Sequence, residues 1–390
     1  MPAVDAATTL FRESFEGEPA GTWSAPGRVN LIGEHTDYNG GLALPIALPQ
    51  RTYASVRLRN DGRLRVASTA APDGRVVEVP VAGISPGHPG GWAAYVAGVC
   101  WALAEAGHRV PGADVAIASE VPVGAGLSSS AALECSVMAA LSDLLELGLL
   151  RDDEGRARAA ALCQRAENEI AGAPTGGMDQ AASFRAQAGH ALLLDSRSGE
   201  VEQVPVALAE DGLALLVVDT RAKHVLVDGQ YADRRATCEA AAKTLGVASL
   251  RDVRPEELDA SLARLPDETS RRRVRHVVTE IERVQRCVNA LRRNDFQAVG
   301  RLFLESHQSL RDDYEVSCRE LDLVVETAMQ AGALGARMTG GGFGGSAIAL
   351  VQEAQVDAVS GRIQEAFELA LLPAPDPFAV MAGPPAGRDR

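Results

Sequence analysis

The run Gly27 to Gly41, GRVNLIGEHTDYNGG, constrains this chain more than any other stretch. It sets one arginine, two carboxylates, one histidine and four glycines around a short apolar patch. Val29 to Ile32 reads as a short strand entering a core, and Glu34, His35 and Asp37 gather polar groups where that strand leaves it. Gly40 and Gly41 then turn the chain into the apolar run Leu42 to Leu48, as a hairpin requires. Loops at the ends of buried strands are where ligand-reading side chains gather. Asp37, Asn39 and Gly40 are ordinary turn formers, but a turn by itself leaves Arg28, Glu34 and His35 without a task. Two carboxylates and an imidazole so close together offer several acceptors and one adaptable donor, which suits a polyhydroxyl ligand better than a phosphate. A sugar is the expected ligand.

The 390 residues exceed what one growing core accommodates, so two packed lobes are expected. With 46% hydrophobic but only 4% aromatic residues, their cores should be aliphatic and rich in alanine. A net charge of −14 argues against a nucleic-acid surface and against an anionic membrane surface. Six cysteines, scattered without a CxxC pair and mostly in apolar helical patterns, read as reduced core residues. The first residues carry Arg12 and several acids without a basic start and apolar segment, and no run reaches the roughly 18 apolar residues of a membrane span. A cytoplasmic monomer is expected. Only two lysines occur, Lys223 and Lys243, so there is no GxxxxGK[ST] loop and phosphates must be held another way.

Strand-like alternation covers residues 42 to 58 and 63 to 69, with Gly62 as the hairpin turn between them. A helix over Trp92 to Ala106 ends at Gly107, and a strand over Ala113 to Ser119 leads into a glycine-rich loop. Helices are expected over 129 to 148 and 153 to 171, strands at 190 to 195 and Leu213 to Asp219, then helices over 228 to 245, 270 to 292, 295 to 310 and 317 to 331. Strand, glycine loop, strand and the helix 354 to 370 close the chain. The polar segment Ser196 to Glu210 is the expected lobe boundary, giving lobes of residues 1 to 200 and 201 to 390.

Two further blocks bear on chemistry. In VPVGAGLSSSAAL, Val121 to Leu133, Gly124 and Gly126 let backbone amides approach an anion, and a helix N-terminus adds unpaired donors. Ser128 and Ser129 add hydroxyls, and a Ser130 oxygen is a suitable hard ligand for Mg²⁺. Serines there also read as ordinary helix caps. No acidic residue closes a second strand about 20 positions on, which argues against a dinucleotide fold. In ENEIAGAPTGGMDQ, Glu167 to Gln180, Asp179 follows a flexible loop, a setting for a carboxylate facing a cleft or for a helix cap. Met338 to Ser346, MTGGGFGGS, reads by itself as a glycine bulge or hairpin between two apolar segments.

Taken together, these blocks resemble the galactokinase signature of the sugar, homoserine, mevalonate and phosphomevalonate kinase superfamily, and their order covers most of the chain. The resemblance implies an α+β, two-lobed kinase fold with mixed sheets, helices packed on them and the active site in the cleft between lobes. It implies ATP-dependent phosphorylation of the anomeric hydroxyl of α-D-galactose. Asp179 would be the catalytic carboxylate with Arg28 beside it. Glu34, His35, Asp37, Gly176 and Tyr231 would meet the sugar. Gly124, Ala125, Gly126, Leu127, Ser128, Ser129 and Ser130 would hold ATP, with Ser68 added by position alone. Glu167, by its spacing before Asp179, would hold Mg²⁺ with Ser130. The chain departs from the family at Gly177, where larger residues are frequent. The resemblance also admits a sibling kinase acting on another pyranose or an N-acetyl hexosamine. A non-catalytic galactose and ATP sensor is the other alternative; intact Ser130, Ala131, Ala132, Arg28 and Asp179 argue against it.

Overall fold

The apolar alternation early in the chain builds a mixed sheet around the strand that opens the polar run. The computed structural model describes residues 2–71, 74–173, 175–222 and 227–390. In this sheet the strand order is Gly387–Arg388, Gly21–Asn30, Pro45–Leu58, Ala113–Ser119, Arg63–Ser68 and Val77–Pro80. Gly21–Asn30 is longer than the expected strand and is buried from Thr22 onward. It pairs antiparallel with Pro45–Leu58 from Gly21 opposite Val56 to Asn30 opposite Pro45. The glycine pair 40–41 thus lies in the return between them, as expected.

Gly62 does not close a hairpin. It adopts a left-handed φ of 72° and reverses the chain, but Ala113–Ser119 inserts between the two strands it joins. The backbone beside it bonds across to that third strand's approach, with Arg59 N–H donating to Gly112 O and Gly62 N–H to Pro111 O. Alternation shows that a segment is a strand and leaves its partner open.

A second sheet, ordered Gly335–Thr339, Ser346–Gln352, Leu213–Asp219 and Asp376–Val380, carries the later helices. A small third sheet joins Leu42–Ala43, His190–Asp195 and Val201–Pro205. The strand Val201–Pro205 lies inside the segment expected to be a polar boundary, and residue 200 falls in the turn that precedes it. The C-terminal Gly387–Arg388 returns to pair with Trp23 and Ser24 of the first sheet.

Two large aliphatic cores stand out among the described residues. One packs Trp23, Val56, Leu64, Val115 and Leu141 between the first sheet and the helices Ala93–Glu105, Ser129–Leu144 and Asp153–Ala166. The other packs Leu216, Val218, Val277, Leu302, Val324 and Ile348 around the second sheet and the helices Glu268–Leu291, Phe296–Asp312 and Arg319–Gln330. The Gly21–Asn30 strand feeds both, with Trp23 and Ala25 in the first core and Val29 in the second. All six cysteines are unpaired thiols, five of them buried. Among the described residues no helix is long and apolar enough to cross a membrane.

Candidate active site

Proline at 26 and glycine at 27 break the register of the opening strand between Pro26 and Arg28. Such a bulge bends the strand and re-aims the next side chain. Gly27 is required there because a Cβ would lie 2.6 Å from Leu127 O. The close approach lets Arg28 N–H donate to Leu127 O at 3.1 Å, which ties the strand to the glycine-serine loop. Arg28 then reaches Asp179 in a two-pronged ion pair, Nε to Oδ1 at 2.8 Å and Nη2 to Oδ2 at 3.0 Å, while Nη1 donates to Gly126 O at 2.6 Å.

Asp179 sits in the first turn of the helix Met178–Arg185. A third donor holds it: Ser128 Oγ lies 2.5 Å from Asp179 Oδ2. Ser128 occupies the N-cap position of Ser129–Leu144 in a left-handed conformation, φ 58° and ψ 45°, and its side chain does not cap the helix. The capping reading of this serine therefore fails, because its hydroxyl is spent on the carboxylate. Gly124 and Gly126 also take left-handed φ values, 78° and 71°. MTGGGFGGS packs directly on this loop: Ser346 Oγ donates to Ala125 O at 2.7 Å, and a Cβ on Gly340 would lie 2.9 Å from Gly126 O.

The expected helix 153 to 171 is α-helical only through Ala166, and its last stretch, Glu167–Ala171, is a π-helical turn. Single π turns inside helices frequently accompany functional sites because they rotate one side chain out of register. Here that side chain is Glu167, buried and receiving hydrogen bonds from Thr175 Oγ1 and Gln180 Nε2, each at 2.7 Å. Burial and the neighbouring Asp179 charge raise its pKa.

On the opposite wall, Asp37 lies in the short turn Asp37–Asn39 under Gly176, where a Cβ would come within 1.8 Å of Asp37 Oδ2. Burial, then the charge of Asp179, pushes the Asp37 carboxyl up to about 6. His35, at φ 62°, places Nε2 3.2 Å from Gly341 O and Nδ1 2.8 Å from the Tyr38 hydroxyl. A carbonyl only accepts, so Nε2 carries the proton and Nδ1 accepts from Tyr38. Burial lowers the His35 pKa to about 3, in keeping with a neutral ring. Glu34 is buried in an ion pair with Arg337 and accepts from Gly340 N–H at 3.0 Å. Tyr231, on the helix Val227–Leu245, packs its ring 5.4 Å from His35 and 5.3 Å from Tyr38.

These groups line one cavity of about 380 Å³. Arg28, Glu34, His35, Asp37, Gly124, Gly126, Leu127, Ser128, Ser129, Ser130, Glu167, Gly176, Asp179 and Tyr231 all reach it. Two expected residues do not. Ala125 is buried with its carbonyl turned to Ser346, and Ser68 ends its strand opposite Ile117 with Oγ accepting from Ala70 N–H. Sequence reasoning passed over Thr175, Gln180 and Arg337, although Gln180 follows Asp179 and Arg337 precedes the last glycine block. A polar residue adjoining a block was the available signal.

The chain matches the galactokinase galactose-binding signature over residues 9–58, the GHMP kinases N terminal domain over 94–187 and the GHMP kinases C terminal domain over 287–369. It is 56% identical to a galactokinase of Streptomyces coelicolor over 97% of this chain and 96% of that protein. The chain belongs to the galactokinase family. A galactokinase of Streptomyces lividans is 53% identical over 90% of this chain and 87% of its own length. Among solved structures, Lactococcus lactis galactokinase in complex with galactose superposes with a TM-score of 0.92 at 34% identity, covering 99% of both chains. The two-lobed α+β fold expected from the sequence is thus the fold of this family, and the signature, N-terminal and C-terminal matches follow the order of the three blocks.

Proposed function

We propose that this protein transfers the γ-phosphoryl group of ATP to the anomeric hydroxyl of α-D-galactose, giving α-D-galactose 1-phosphate and ADP. The observation that carries the reading is the Arg28–Asp179 pair, which stands where the polar run and the glycine-serine loop meet in one cavity. Asp179, fixed by Arg28 and Ser128, orients the attacking hydroxyl and accepts its proton late, while Arg28 offsets charge on the transferred group. Phosphoryl transfer depends mainly on positioning and electrostatics, which a carboxylate with three fixed donors provides.

Glu34, His35, Asp37, Gly176 and Tyr231 form the sugar wall. Backbone amides from Gly124 to Ser130 receive the phosphates, with Ser68 and Ala125 left as expectations by position. Ser130 and Glu167 fit magnesium: both are hard oxygen donors lining the same cavity, and Glu167 is a buried carboxyl there. The ion neutralises phosphate charge when bound. Unpaired thiols support a reducing, cytoplasmic setting, and the monomeric state is open to light scattering.

A coupled ADP-release assay across galactose, glucose and N-acetylgalactosamine tests the reading. Galactose should be the preferred substrate. Preference for a sugar lacking the axial 4-hydroxyl would overturn the substrate, and no ADP release with MgATP and galactose would favour a sensor.

A further inference from the structure

Behind the Ser130–Glu167 pair lies a buried polar group that the reaction does not use directly. Glu134, on the Ser129–Leu144 helix, and Gln180, on the Met178–Arg185 helix, are both fully buried. Gln180 Nε2 lies 2.7 Å from Glu167 Oε2 and 3.2 Å from Glu134 Oε2, so one amide bridges two carboxyl groups. Thr175 Oγ1 donates to the same Glu167 oxygen at 2.7 Å. Glu134 Oε1 and Gln180 Oε1 have no hydrogen-bond partner although both are buried.

An orphaned buried acceptor costs about 1–3 kcal/mol, and a core selected only for stability has an easy remedy in apolar residues at these positions. The arrangement is instead directional. Turned this way, the Gln180 amide offers its donor Nε2 to both carboxyl groups, and the ionised Glu167 that a cation requires accepts only from that nitrogen. With two donors on Oε2, the Glu167 carboxylate is held in one rotation, and Glu167 and Ser130 both line the cavity.

We infer that Gln180, oriented by Glu134 and assisted by Thr175, is the positioning residue that presents Glu167 to the divalent cation. The inference rests on the reading of Glu167 and Ser130 as metal ligands. Groups that orient metal ligands typically change metal affinity by about 10- to 100-fold when removed.

The test is Mn²⁺ binding to the full-length protein with ADP, followed by the EPR signal of free Mn²⁺, in wild type, Gln180→Met, Thr175→Val and Glu167→Ala. Gln180→Met keeps the length of the side chain and removes the donor, and should weaken Mn²⁺ binding about 10-fold or more. ADP affinity measured without metal should stay at the wild-type value, which a general disturbance of the site would not allow. Thr175→Val should weaken Mn²⁺ binding in the same direction and decides the matter if Gln180→Met does not fold. Wild-type Mn²⁺ affinity in Gln180→Met, or in Thr175→Val where that variant decides, overturns the positioning role when Glu167→Ala has lost it. Wild-type affinity in Glu167→Ala overturns the metal assignment itself.

Discussion

Asp179 and Asp37 are two carboxyls in one cavity with different surroundings, and the difference sets what each can do. Asp179 receives the Arg28 guanidinium and the Ser128 hydroxyl. Replacing it by asparagine keeps the shape and removes the proposed proton acceptor, so kcat should fall about 10²-fold or more in steady-state kinetics; near wild-type turnover would remove Asp179 from the reaction. Asp37 has burial and the Asp179 charge against its ionised form, and its pKa rises to about 6. The folded protein therefore binds this proton more tightly than the unfolded chain does. The resulting penalty is fully present above pH 6 and is relieved as pH falls toward the unfolded value of about 3.8. Asp37→Asn should thus raise the melting temperature of the ligand-free protein at pH 8, with an advantage that shrinks toward pH 5, while raising KM for galactose. An unchanged or lower melting temperature at pH 8 would contradict this account. A charge kept at a cost to stability fits the sugar-reading role proposed for Asp37.

At the scale of elements, the site is made by close approaches that only glycine permits. The loop before Met178–Arg185 passes over Asp37 at Gly176, where even a methyl group would meet Oδ2 at 1.8 Å. Gly176→Ala must therefore displace either the loop or the Asp37 turn. We expect a loss of about 10²-fold in kcat/KM for galactose, since a shift near 1 Å in a positioning group has that effect, with little change in the melting temperature. Wild-type kcat/KM in Gly176→Ala would show that the loop yields freely. Local patterns located most elements well: Ala113–Ser119 and Leu213–Asp219 begin and end where alternation and apolar runs placed them. They missed Val201–Pro205, a short strand with Glu202, Gln203 and a terminal proline that reads as polar loop until His190–Asp195 pairs with it. They also could not show that the helix reaching Glu167 would finish in a π turn, because that turn answers to Thr175 and Gln180 around the carboxylate.

Across the whole molecule, the polar run is locked to the C-terminal part by buried charge. Arg337, fully buried, pairs with Glu34, donates to Leu31 O at 2.8 Å and stands 3.9 Å from Glu280, which in turn accepts from Gly33 N–H, Ser306 and Arg283. Removing one member strands the others without compensation, so Arg337→Met should lower stability by about 3–5 kcal/mol in urea unfolding; a loss below about 1 kcal/mol would mean that water or rearrangement replaces the pair. From the tyrosines a second link forms, as Tyr38 bonds Tyr314 at 2.9 Å and Tyr314 bonds Cys238 at 3.2 Å. The residue types of the three blocks, the glycines that permit tight turns and the apolar periods of the strands and helices were all set by the sequence itself, since each depends on neighbours along the chain. Tertiary structure alone decided that Ala113–Ser119 would part the strands around Gly62, that Ser128 would turn from its helix to Asp179, and that Glu34 would answer Arg337 from 303 positions away. Those outcomes depend on distances through space between segments remote in sequence, and no local period or propensity encodes them.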